Sequence, residues 1–329
     1  MSIKPWGSID WLLPRTKVEA WHLITSSSFE ERCVGILLCS QQVELKLTSA
    51  TLLRLTNPPS DFWTDAQPAI NKNVEAMHAL LDQTPFNEVE GKLLAMPSSL
   101  VRPSSLNPDD CESVILDITT IPKRFFLFAM QQLMRSEKVK NLVITYTKAK
   151  EYPEAALCEN ALPPTALQGF ARMSATGESP RLIVGVGYMP LSVEELVEQA
   201  KNVKLDFIFP FPPASPAFRR NWDLLAMLMP TDPPRNTDIH RVHGMDAFEI
   251  CERIKAWGES RDVDLLPLGP KPHALGMAMA AMRLDGHAEV LYSQPQSYRP
   301  NYSTGIAADA SGRPQILAYC LKLNGRDLF

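Results

Sequence analysis

The chain has 329 residues, with 33 basic and 37 acidic side chains and a formal charge of −4. That length supports one large α/β domain or two modest ones, with cores that need no disulfide or metal. The charge excludes an overall positive field that gathers nucleic acid nonspecifically, so any contact with a polyanion must be local.

No stretch reaches the roughly 18 consecutive apolar residues of a bilayer span, and the N-terminus lacks a basic segment followed by an apolar run. The expectation is a cytoplasmic protein with no membrane contact. Cys33, Cys39, Cys111, Cys158, Cys251 and Cys320 form no CxxC pair and no Cys/His quartet, which reads as reduced thiols and no metal centre. Prolines number 28 against 15 glycines, and many follow apolar runs, where they end a strand or start a helix.

Short β-branched or aromatic runs bounded by turn residues predict strands buried on both faces. In chain order these are Trp21–Thr25, Val43–Leu47, Ser113–Ile118, Asn141–Thr147, Arg181–Gly187, Leu205–Pro210, Asp262–Pro267, Glu289–Ser293 and Gln315–Lys322. Helical patterns lie between them at Phe29–Leu38, Asn73–Asp82, Pro122–Ser136, Ser192–Lys201, Arg219–Met229, Ala247–Glu259 and Pro272–Leu284, and Met96–Glu112 reads as a loop. This alternation predicts right-handed crossovers and an α/β fold of two Rossmann-like lobes with mostly parallel sheets. The Pro-, Ala-, Gly- and Ser-rich stretch Glu151–Pro180 sets the boundary, giving lobes over 1–160 and 161–329.

In such sheets ligands bind beyond the carboxyl ends of the strands, where helix N-termini attract anions. Three of these junctions are unusual. The first strand runs into Thr25-Ser26-Ser27-Ser28, more hydroxyls than one helix cap needs, with Glu31 placed for a capping box on Ser27 or Ser28. The run Asp117-Ile118-Thr119-Thr120-Ile121-Pro122-Lys123-Arg124 ends a buried strand with an acid and two threonines. It then puts two cations in a helix's first turn, where they oppose the dipole unless something negative compensates. Asp117, simple solvation or a bound phosphate would each do so. The third junction, Pro267-Leu268-Gly269-Pro270-Lys271-Pro272-His273, leads into a helix of small residues, with Lys271 as an anion contact and His273 as an acid or base.

The run Pro267–Ala281 resembles the signature of CRISPR-associated Rossmann-fold sensor domains, in which a strand leads through a Gly-Gly-Thr-Lys-type turn into a helix of small residues. The resemblance implies that this turn helps bind a cyclic oligonucleotide and that a Ser/Thr-rich loop after the first strand contributes from the same side. Thr25–Ser28 corresponds to that loop in kind. The segment Gly269-Pro270-Lys271 differs in having one glycine and no threonine before the lysine.

Beyond the last helix, Tyr298, Arg299 and Tyr302 offer aromatic faces and a guanidinium to stack on a base or clamp a phosphate. The pair Gly185 and Gly187 lacks the third glycine of a dinucleotide fingerprint, and no Walker loop or GxSxG elbow occurs, so no cofactor is expected. Arg235 and His240 have the spacing of some ribonuclease motifs but lie in a strand-like segment. The leading expectation is a sensor or ligand-binding subunit recognising a phosphate-bearing small molecule or oligonucleotide, within a prokaryotic defence assembly of several chains or as a homo-oligomer. The alternatives are an enzyme on a phosphorylated or nucleoside substrate, using Asp117 and His273, and a structural subunit of a multiprotein complex.

Overall fold

The structure is a computed structural model that describes residues 5–43, 45–152, 158–173, 177, 179–187, 203–212, 222, 237–259, 261–284, 286–300 and 303–329. The chain divides into two compact units, one formed by 1–153 with 297–329 and the other by 154–296.

The main strands are β1 (Trp6–Ser8), β2 (Trp21–Ser26), β3 (Leu47–Thr56), β4 (Phe86–Lys92), β5 (Ser113–Asp117), β6 (Asn141–Thr147), β7 (Arg181–Gly185), β8 (Leu205–Pro210), β9 (Thr237–Val242), β10 (Val263–Pro267), β11 (Ala288–Tyr292) and β12 (Ile316–Leu323). The helices are α1 (Ile9–Thr16), α2 (Gly35–Gln42), α3 (Asp61–Leu80), the single turns α4 (Pro97–Leu100) and α5 (Pro103–Leu106), α6 (Lys123–Arg135), α7 (Ala247–Gly258) and α8 (Lys271–Arg283).

In the first unit the parallel strands run in the order β4-β3-β2-β5-β6, and β12 and β1 extend the sheet antiparallel beyond β6. The central strands β2, β5 and β6 are buried along nearly their whole length, as strands covered on both faces are. One face packs Trp21, Leu23, Ile36, Leu37, Leu52, Ile115 and Val143 into a single core with α1, α2 and α3. Helix α6 has its aromatic residues Phe125, Phe126 and Phe128 buried.

In the second unit the parallel strands run β9-β8-β7-β10-β11, with Thr165–Ala166 antiparallel at the edge. Counted from each unit's first parallel strand, both orders are 3-2-1-4-5, the doubly wound Rossmann-like order without its sixth strand. The two units are therefore topological repeats, although their sequences share only a rhythm.

Several elements differ from the sequence reading, for local reasons. The segment predicted as a strand at Val43–Leu47 instead ends α2 at Val43, and the strand begins at Leu47 and runs to Thr56. The helix expected from Phe29 starts as a 3-10 turn at Glu31–Val34. Helix α3 extends 20 residues from Asp61, through Pro68, rather than starting at Asn73. Met96–Glu112 holds two single helical turns, each opened by a proline. The segment from Ser297 onward belongs to the first unit, because β12 pairs with β6. The helices expected at Ser192–Lys201 and Arg219–Met229 lie outside the described residues apart from Trp222.

Candidate functional site

In the first unit the strand order reverses between β2 and β5, and a crevice for ligands opens at such a point. The loops leaving these two strands carry Ser26–Ser28 and Thr119–Arg124. They meet directly, since the Ser26 Oγ lies 2.8 Å from the Thr120 Oγ1, and the Thr120 hydroxyl donates to the Ser26 carbonyl at 3.0 Å. The Ser28 hydroxyl accepts the Glu30 amide at 3.2 Å, closing a local turn ahead of the 3-10 helix, which has Glu30 as its N-cap and no side-chain cap, so the expected box with Glu31 does not form. The hydroxyl of Ser27 is half-buried, while its amide donates to the Leu53 carbonyl.

Asp117 is fully buried. Its carboxylate accepts hydrogen bonds from the hydroxyls of Thr119 at 2.6 Å, Thr145 at 3.0 Å and Thr25 at 3.3 Å. Those donors come from β2, from β6 and from the loop after β5, so the carboxylate ties three strand ends together rather than facing a substrate. Thr119 takes part in the same internal network, its Oγ1 also accepting the Thr147 amide.

Beside this rim lies a buried ion pair that the sequence reading missed. Arg32 is 2% exposed and donates from Nε and Nη2 to Glu30, from Nη1 to the Tyr146 and Tyr152 hydroxyls, and to the Thr147 carbonyl. Its guanidinium also lies 5.6 Å from each tyrosine ring centre. Burial by itself would lower its pKa, but the Glu30 carboxylate and the tyrosine oxygens raise it well above its usual value. Ser303 donates to the same Glu30 carboxylate.

Helix α6 starts at the rim with Pro122 as its N-cap, no side-chain cap and no acid in its first turn, and Lys123 and Arg124 are half-exposed. In the same unit Tyr298 and Arg299 are partly buried, and the Arg299 guanidinium sits 5.4 Å from the ring centre of Phe62. Tyr302 lies outside the described residues.

In the second unit the reversal falls between β7 and β10. There the two turns touch through their backbones: a Cβ on Gly187 would stand 2.4 Å from the Leu268 carbonyl oxygen, and one on Gly269 would stand 2.9 Å from that of Val186. Only glycine permits this approach. Lys271 opens α8 half-exposed, again after a proline N-cap without a side-chain cap. His273 is fully buried, with Nε2 3.1 Å from the His243 carbonyl, an internal position with no solvent face.

Towards the other end of this sheet, Arg181 pairs with the buried Asp206 through both carboxylate oxygens, and His240 Nε2 reaches Asp206 at 2.7 Å. Trp257 lies against both, its ring 4.4 Å from His240 and 4.7 Å from the Arg181 guanidinium. Burial would raise the Asp206 pKa, but hydrogen bonds from Arg181 and His240 hold it below the usual range. Asp206, Asp238 and His240 have ligand atoms within 4.8 Å of one another, but Arg181 and Lys204 already neutralise the carboxylates. The group is an ion-pair network. His240 lies on strand β9, not on a helix.

Burial pushes the thiols of Cys33 and Cys251 up to about 12 and those of Cys39 and Cys320 to about 11. At neutral pH these four stay protonated and unreactive. Among the described residues no helix is long and apolar enough to cross a membrane.

No family model matches the chain, and no curated protein matches it. Among solved structures it is similar to a type III CRISPR defence DNA nuclease activated by cyclic oligoadenylate, at 8% identity and a TM-score of 0.37 over 83% of this chain. The chain spans 65% of that nuclease's length. It is also similar to a protein of unknown function from Pseudomonas aeruginosa PAO1, at 9% identity and a TM-score of 0.25, covering 86% of this chain and 95% of the other. A protein named as a universal stress protein, from Pseudomonas aeruginosa UCBPP-PA14, matches with the same identity, coverage and TM-score.

Proposed function

We propose that the protein is a sensor subunit that binds a phosphate-bearing ligand, a nucleotide or oligonucleotide, at the switch-point rims of its Rossmann-like units. One observation carries the reading. In each unit the helix leaving the fourth strand begins with a proline followed by a lysine, Pro122-Lys123 in α6 and Pro270-Lys271 in α8, and neither has a side-chain cap. Helices α3 and α7, by contrast, carry side-chain caps, with Ser60 accepting the Trp63 amide and Asp246 accepting the Glu249 amide. The first turn of a helix such as α6 or α8, at the positive end of its dipole, is a ready place for an anion, and a lysine beside it adds to the attraction.

Ser27, Lys123 and Arg124 are the groups assigned to the ligand in the first unit, and Gly269 and Lys271 those in the second. Tyr298, Arg299 and Tyr302 are assigned to base contact. The resemblance of Pro267–Ala281 to cyclic-oligonucleotide sensors favours an oligonucleotide ligand and a place in an antiviral assembly, with other chains or further copies receiving the signal. The enclosed positions of Asp117 and His273 give no support to the enzymatic alternative.

The test is thermal stabilisation by mononucleotides, dinucleotides and cyclic oligonucleotides, since a ligand bound only by the folded state raises the melting temperature. A saturable rise in the parent that Lys123→Ala or Lys271→Ala diminishes supports the proposal. No rise with any member, or a rise unchanged in both variants, overturns it.

A further inference from the structure

The first unit also contains a cavity of about 280 Å³, lined by no residue of the loops that leave β2 and β5. Its walls come from the start of α1, the end of α2, the residue after β6 and the segment leading into β12. The floor is apolar, made by Ile9, Val43, Ile316 and Leu317, with the protonated thiol of Cys39 among them.

Four charged side chains line the same cavity, and they are not equivalent. Asp309 and Arg313 neutralise each other: Arg313 donates from Nε at 3.2 Å, and its Nη2 lies 3.1 Å from the same carboxylate oxygen. The Asp309 carboxylate also accepts from the Ser311 hydroxyl and amide and from the Arg313 amide, which holds its pKa down at about 2. That turn is a fixed, internally satisfied wall. Lys148 and Asp10 differ, for among the described residues neither has an ion-pair or side-chain hydrogen-bond partner. Lys148 is held by its backbone, its amide donating to the Gln315 carbonyl and its carbonyl accepting the Ala307 amide. Asp10 raises the thiol pKa of Cys39 by its charge, behind burial as the main cause, which places the carboxylate close to the cavity wall.

A cavity with an apolar floor and, among the described residues, one uncommitted cation and one uncommitted anion matches a ligand bearing one charge of each sign. We propose that it binds a small zwitterion of the amino-acid class, with its carboxylate on Lys148, its ammonium on Asp10 and its side chain over Ile9 and Leu317. The volume lies at the lower limit for small-molecule sites, which suits such a ligand and is too small for a nucleotide. Net charge argues the same way, because the pair of Lys148 and Asp10 leaves no excess positive charge to hold a phosphate.

The experiment is calorimetry and thermal shift with the free amino acids, alongside the matching amines without the carboxylate and acids without the ammonium. Saturable binding of one or more amino acids is expected. Lys148→Gln and Asp10→Asn should each weaken it roughly ten- to a hundredfold, as expected for a lost charge-assisted hydrogen bond. Asp10 is exposed, so its variant tests the site without disturbing the fold. Both variants should bind nucleotides as the parent does, so failure here is distinguishable from failure of the rim. The proposal is overturned if no amino acid binds, if the amines or acids bind as tightly as the zwitterions, or if both variants retain parental affinity.

Discussion

The hydroxyls of Ser26 and Thr120, 94 residues apart in sequence, meet at 2.8 Å across the point where the first sheet reverses its order. The Thr120 hydrogen goes to the Ser26 carbonyl, so the Ser26 hydroxyl must be the donor between the two side chains. Thr120→Val keeps the shape but leaves that hydroxyl and that carbonyl without their partner. A loss of about 1–3 kcal/mol in unfolding free energy is expected, measured by urea denaturation. If ligands bind at this rim, the variant should also lose part of their stabilising effect. An unfolding curve identical to the parent's would show that the contact contributes nothing.

The Arg32–Glu30 pair gives a larger effect. Removing one member of a buried pair strands the other charge, which typically costs about 3–5 kcal/mol. Arg32→Met should therefore destabilise the first unit strongly, and Arg32→Met with Glu30→Gln should recover part of the loss. A double variant no more stable than the single one would place the energy in the tyrosine contacts instead.

These two relationships mark what was legible in the sequence. Strands such as Ser113–Asp117 and Asn141–Thr147 stood out because burial on both faces demands an unbroken apolar run. The edge strand Phe86–Lys92, with sequence FNEVEGK, carried no such signal, since it has one neighbour and is largely in contact with water. The hydroxyl and lysine junctions were found from sequence because each is local to one loop. Arg32, Asp10, Lys148 and Arg313 were not, because their importance lies in partners or walls from distant segments. Asp117 was legible as unusual but not as internal, since an acid at a strand end looks the same whether it meets a substrate or three threonines.

His22 makes stability depend on pH. It is fully buried, with Nε2 2.7 Å from the Leu106 carbonyl and Nδ1 2.7 Å from the Ser49 hydroxyl. A carbonyl only accepts, so Nε2 carries the proton and Nδ1 accepts from Ser49. Burial lowers the pKa below 6.5, more than the Leu106 hydrogen bond and the Asp109 charge raise it. The unfolded chain thus takes up a proton before the folded one does. The contribution is complete above about pH 6.5 and declines as the pH falls from there towards the folded value. Urea midpoints measured from pH 7.5 to 5 should fall for the parent and fall less for His22→Gln. Equal slopes would remove His22 as the cause.

Gly276 tests how closely α8 is held in the second unit. A Cβ there would stand 2.3 Å from the Ala247 carbonyl oxygen and 2.7 Å from the Ile250 Cβ, both on α7. The carbonyl is backbone and cannot rotate away, so Gly276→Ala must push the helices apart. Alanine's better helix propensity returns at most about 1 kcal/mol, while overpacking costs about 1–3 kcal/mol, so a net loss is expected by urea denaturation. Because α8 presents Lys271 at its first position, displacing the helix should also weaken any ligand bound at that rim. If the variant is as stable as the parent, the two helices have room that the backbone contact denies them.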